Sequence, residues 1–191
     1  MKKFLSILAL CGFTTFYSCD NNANRENENT DSMERAEDVN EERDVPNKDA
    51  DFVTETAAAG MFEVEAGKLA SQQATNADVK NFAQRMVNDH TAANNELMQM
   101  ASSLNIAAPQ SLPEDQRDRL NKLREKQGMD FDKEYMNMID DDHRKSVNRF
   151  ENAAEDAESA DLRNWASQKL PTLREHHQMA EQIRDKIKDM K

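Results

Sequence analysis

The chain has 191 residues, a formal net charge of -12, four Gly, four Pro, eleven Met and a single Trp. So acidic a protein, with no basic stripe and no aromatic stacking face, has no place for nucleic acid as a partner. The scarcity of turn formers and the weight of helix formers point to one helical domain with accessory segments.

Residues 1–18 read as a signal peptide. Lys2 and Lys3 precede the apolar run Phe4-Leu5-Ser6-Ile7-Leu8-Ala9-Leu10, too short to span a bilayer as a mature helix. Phe16-Tyr17-Ser18-Cys19 resembles the lipobox at which bacterial lipoproteins are cleaved and acylated, whereas Cys11 follows a bulky Leu10. Cys19 is therefore the expected lipidation site, and the membrane the expected partner through that anchor. No thiol would remain after acylation, which excludes disulfides and thiolate metal sites. Residues 19–50 are rich in Asn, Asp, Glu and Arg and nearly devoid of apolar side chains, so they are expected to form a disordered acidic tether.

Residues 51–191 carry the helical domain. A first helix is predicted from about Phe52 to Gln73, and Thr75-Asn76-Ala77-Asp78 opens a second that reaches about Leu104. Pro109 and Pro113 flank a crossover with a short polar helix, which Gly128 is expected to end. A long helix follows from about Asp130 to Ala157, and a last one from about Ala160 to Met190, with Pro171 expected to kink or break it. Ala77-Asp78-Val79-Lys80-Asn81-Phe82-Ala83 recurs in type as Ala160-Asp161-Leu162-Arg163-Asn164-Trp165-Ala166, so the hairpins look duplicated. Asp89-His90 recurs as Glu175-His176 with the spacing lengthened by three residues, around Pro171. Two helical hairpins joined by a long crossover predict an all-α, ferritin-like four-helix bundle.

Four polar residues occupy the middle of the apolar stripes. On a projection at about 100° per residue, Glu63 is surrounded by Thr56, Gly60, Ala66, Gly67 and Ala70. His90 lies among Met86, Val87 and Leu97, His143 among Ile139, Val147 and Phe150, and His176 among Leu173, Ala180 and Ile183. Within each hairpin the two polar residues differ by roughly one helical turn in height, so all four can share a layer. Three imidazoles and a carboxylate suit one transition metal ion, Zn, Fe, Cu or Ni, with Asp140, one turn before His143, as a fifth ligand or orienting group. Asp89, Asp142 and Glu175 each precede a core histidine and are candidates to accept an N–H from an imidazole of a neighbouring helix. The competing reading is a metal-free hydrogen-bonded layer that fixes helix register, or one whose protonation responds to pH.

A ferritin-type di-iron site needs Glu-x-x-His on two helices, but Val87 and Leu173 stand three residues before His90 and His176. The chain has no phosphate loop, nucleophile elbow or catalytic dyad, which puts a binding or structural role ahead of catalysis. A metal-dependent redox or stress-defence enzyme, and a pure protein-interaction module, are the alternatives. His177 reads as a surface residue and the methionines as core filler.

Phe52-Val53, Gly60, Glu63-Val64-Glu65-x-Gly67-x-Leu69-Ala70, Val79-Lys80-x-Phe82-Ala83, Met86-Val87-x-Asp89-His90, Gly128-x-x-Phe131-Asp132-x-x-Tyr135 and Leu170-Pro171-x-Leu173-x-x-His176 form an ordered set. That set resembles the DUF4142 family of bacterial domains of unknown function, over essentially Asp51 to Lys191. The resemblance implies a ferritin-like bundle in exported proteins, often assigned to the outer membrane, and supplies no activity.

Overall fold

A computed structural model describes residues 31–191, and those residues form six helices and no strand. In chain order they are α1 (Ser32–Glu42), α2 (Asn47–Gln73), α3 (Ala77–Ser103), α4 (Glu114–Arg124), α5 (Gly128–Asp156) and α6 (Ala160–Ile187). Local chemistry sets the starts. The Asn76 side chain accepts from the backbone N–H groups of Asp78 and Val79, and the Ser159 hydroxyl accepts from Leu162 N–H. The helix α2 packs along α3 and α5 along α6, with α2 against α5 and α3 against α6 closing a four-helix bundle. Gly67 permits the close approach of α2 to α3, since a Cβ there would lie 2.9 Å from Val87 Cγ2.

Three expectations change. The segment expected to be a tether contains α1 and the first turn of α2, so the folded unit begins at Asp31. Apart from buried Ala36, its attachment is polar: Asn40 donates to Ala107 C=O and accepts from Ala107 N–H, Ser32 Oγ donates to Ser111 C=O, and Asp31 accepts from Glu114 N–H. Such bonds to the crossover backbone offset ordering entropy without the apolar area that the disorder argument counts. The signal-peptide residues and Cys19 lie outside the described residues.

Pro171 does not break α6, which runs through it. The carbonyl that Pro171 leaves without a donor belongs to Ser167, and both residues face solvent, so water can satisfy it. Gly128 opens α5 with φ 57° instead of closing α4, which ends on Glu125.

The hairpins obey a pseudo-two-fold rule. Buried Asp132, near the start of α5, accepts from Thr75 N–H, Thr75 Oγ1 and Asn76 N–H in the α2–α3 turn. Buried Asp49, near the start of α2, accepts from Glu158 N–H and Ser159 N–H in the α5–α6 turn. Asp49 thus matches Asp132, Thr75 matches Glu158, and Asn76 matches Ser159, all at one constant offset along the chain. Because α6 is continuous, that offset also matches His90 with Leu173 and His176 with Ala93. The two histidines are not equivalent positions, as the lengthened spacing had suggested.

Two apolar clusters fill the bundle. One gathers Phe62, Phe82, Met86, Tyr135, Ile139 and Ala180, the other Phe52, Leu97, Phe150, Leu162, Trp165 and Leu173. Every long helix passes from one cluster to the other, with His90, His143 and His176 at the passages of α3, α5 and α6 and Glu63 just beyond that of α2.

Candidate metal centre

All four expected core residues meet in one layer and are buried: Glu63 is 2% exposed, His90 7%, His143 0% and His176 1%. The three imidazoles form a near-equilateral group, with ring centroids 5.3, 5.5 and 5.5 Å apart.

Each ring is held from behind by an acceptor. His90 Nδ1 donates to Glu63 Oε2 at 2.8 Å, and His176 Nε2 donates to Asp89 Oδ2 at 2.9 Å. His143 Nδ1 lies 3.0 Å from Ile139 C=O and 3.3 Å from Glu63 Oε1. The shorter contact carries the hydrogen bond, and the longer one is a charge contact that leaves Glu63 Oε1 without a hydrogen-bond partner. These bonds choose the tautomers of neutral rings: lone pairs fall on His90 Nε2, His143 Nε2 and His176 Nδ1. Those three nitrogens are buried and have no partner. Each histidine offers one ligand atom such that all three lie within 4.8 Å of one another. An imidazole whose far nitrogen is bound to a carboxylate or carbonyl is the usual form of a metal-ligating histidine.

Glu63 therefore takes a different position from the one expected. It sits behind His90 and His143, on their Nδ1 sides, where it orients and charges the rings instead of standing among the candidate ligand atoms. Asp140 also leaves the layer: it pairs with Arg184 and lies 3.3 Å from half-buried His177, in a second group with exposed Glu181. Of the three acids that precede core histidines, only Asp89 reaches an imidazole. Asp142 accepts two bonds from Arg119 of α4, at 2.9 and 2.7 Å, and Glu175 pairs with Arg85 at 2.9 Å. A residue next to a core position points about 100° away, here toward α4 or across to Arg85 on α3.

The charges within the layer are strongly coupled. Burial pushes the Glu63 carboxyl up, but His90, His143 and His176 together outweigh it and hold the group down at about 2. Burial opposes a charge on His90, yet the Glu63 carboxylate and its hydrogen bond raise it. Burial, aided by the neighbouring imidazoles against the pull of Glu63, lowers His143 to about 4. Burial and His90 likewise lower His176, against Asp89. The layer thus favours an ionised Glu63 and neutral His143 and His176, while Glu63 eases the protonation of His90.

Two features escaped the sequence reading. Tyr135 is fully buried beyond the layer with an unpartnered hydroxyl, its ionisation suppressed by burial and by the Glu63 charge. A cavity of about 310 Å³ opens beside Glu63, His90 and His176. The stripe of small residues around Glu63 was its only trace in the sequence.

The model of the DUF4142 domain of unknown function matches residues 34–183. The chain belongs to that family. The match begins inside α1, in keeping with the folded unit that starts at Asp31. No curated protein matches the chain. The bundle is similar to the crystal structure of a DUF305 protein of Streptomyces coelicolor inferred to be secreted. The TM-score is 0.62 at 11% identity, over 73% of this chain and 93% of that one. At that identity the likeness is one of fold. Among the described residues no helix is long and apolar enough to cross a membrane.

Proposed function

We propose that the protein is a lipid-anchored envelope protein whose bundle binds a single divalent transition metal ion through His90, His143 and His176. The observation that carries this reading is the cluster of three buried imidazoles, each with a ring nitrogen within 4.8 Å of the others and each with one nitrogen that lacks a hydrogen-bond partner. A metal-free layer would leave all three without a protein partner, and for His143, which does not line the cavity, that would cost about 1–3 kcal/mol. Three neutral imidazoles backed by Glu63, Asp89 and the Ile139 carbonyl match the donor set of a three-histidine Zn site and also suit Cu, Ni or Fe. Such a set leaves a coordination position for a further ligand.

The test is metal analysis of the full-length protein after chelation and reloading. One tightly held ion per chain is expected, lost in His143→Ala while the helical circular dichroism persists. Failure to retain Zn, Cu, Ni or Fe would remove the reading. Anchoring through Cys19, suggested by the lipobox, is a separate matter: Cys19→Ser should lose its acyl mass and leave the membrane fraction. Continued membrane partition of that variant would refute the anchor.

A further inference from the structure

The pseudo-two-fold offset places Ser146 opposite Glu63, Leu173 opposite His90, Gly60 opposite His143 and Ala93 opposite His176. No pair carries a metal-ligating or charged side chain in both hairpins. All four counterpart residues line the cavity of about 310 Å³, together with Glu63, His90 and His176. Where duplication would put a second Glu/His set, the protein has small or apolar residues and a space bordered by Glu63, His90 and His176 of the first set.

The walls define what fits. Phe150, Trp165 and Leu173 make one side apolar, and Thr56, also on the lining, has a buried hydroxyl without a partner. The two cations on the lining are already neutralised, Lys169 by Glu96 at 2.6 Å and Arg85 by Glu175 and Asp89. A highly charged phosphate would find no free cation there. The volume is at the small end of small-molecule sites. With Asp89 paired to Arg85 and Glu175 exposed to solvent, a divalent ion beside the buried Glu63 carboxylate would retain one formal positive charge, for which a single negative charge is the favourable complement.

We propose that this cavity is a small-molecule site in which a monocarboxylate with a compact apolar body binds with its oxygen on the metal held by the three histidines. The proposal rests on the metal reading above. The carboxylate supplies the remaining donor and balances the charge, and the apolar body packs against Phe150, Trp165 and Leu173.

The experiment uses full-length protein loaded with Co(II), whose visible spectrum reports its ligands, and titrates benzoate, with benzamide as the neutral analogue of the same shape. Benzoate should shift the spectrum saturably, and benzamide should bind at least about tenfold more weakly. Ser146→Phe, which fills the cavity, should keep one Co(II) per chain and lose the benzoate response; Ala93→Leu gives a milder filling should Ser146→Phe fail to fold. Bound Co(II) with a spectrum indifferent to benzoate, or a response to azide alone, would overturn the proposal and leave the metal site standing. An unchanged benzoate response in folded, cavity-filled protein would also overturn it. No bound Co(II) at all would remove both readings together.

Discussion

The hairpin α2/α3 and the hairpin α5/α6 share their frame and differ in their centre. Each has a buried Asp that ties down the turn of the other, and each second helix opens with the same pattern of residue types. At mid-height the equivalence ends. Glu63 corresponds to Ser146, His90 to Leu173, His143 to Gly60 and His176 to Ala93. The turns must close the same backbone in both halves, so the same carboxylates recur. The centre carries no such demand, and one half-site could specialise toward ligands while its mate became open space.

The largest effects test the shared frame. Asp132→Ala removes the acceptor of two backbone N–H groups and the Thr75 hydroxyl, and should destabilise the metal-free protein by about 3 kcal/mol in urea titration. Asp49→Ala removes the acceptor of two N–H groups and should cost about 2 kcal/mol. Equal, negligible losses would show that the turns do not depend on these carboxylates.

The next effect tests the centre through pH. His143 titrates at about 4 in the folded state, below its ordinary value of 6.5, so the fold favours the neutral ring. Its contribution is complete above pH 6.5 and is lost as the pH falls toward 4. His176, also lowered, acts in the same direction, and Glu63 remains ionised throughout this window. His90, raised by Glu63, works oppositely: its contribution is present at acid pH and fades as the pH rises through its folded value. The metal-free protein should lose about 3 kcal/mol through His143 between pH 7.5 and 4. His143→Asn should flatten that loss, and a wild-type profile without an acid decline would contradict the buried neutral ring.

Most of this frame was legible in the sequence. Breakers and caps located the hairpins, and helical projection put Glu63, His90, His143 and His176 on the inner faces. Projection gives direction but not depth or ring orientation. It therefore could not tell that Glu63 backs two imidazoles, or that Asp140 turns to Arg184. The docking of α1 was hard to read for another reason: its apolar stripe is only Met33, Ala36 and Val39, and it relies on Asn40 and Ser32 meeting crossover backbone groups 67 and 79 residues away. The lengthened spacing before His176 is misleading because the hairpins diverge there and motif similarity no longer marks equivalent positions. The constant offset of the Asp caps restores the correspondence.

Smaller effects should separate the acceptors behind the rings. Glu63 touches two histidines from full burial, whereas Asp89 holds one and is itself 39% exposed at its side chain. Glu63→Gln should weaken metal binding by up to about a hundredfold, and Asp89→Asn by about tenfold. Competition with a chromophoric chelator would measure both. The reverse order would mean that Glu63 does not orient the site.

Pro171 offers the finest comparison, because its equivalent in the first hairpin is Asn88, an ordinary helical residue. The ring costs α6 the bond to Ser167 C=O, but both positions face water and buried Leu170 and Leu173 hold the helix on either side. Pro171→Ala restores the bond at the expense of a less constrained unfolded chain, so the net gain in stability should be modest, about 1 kcal/mol. Metal affinity should not change, since His176 is already fixed by Asp89 and by the edge of Phe82. A shift in affinity with Pro171→Ala would show instead that the proline sets the height of His176, and that the asymmetry of the centre begins in the backbone of α6.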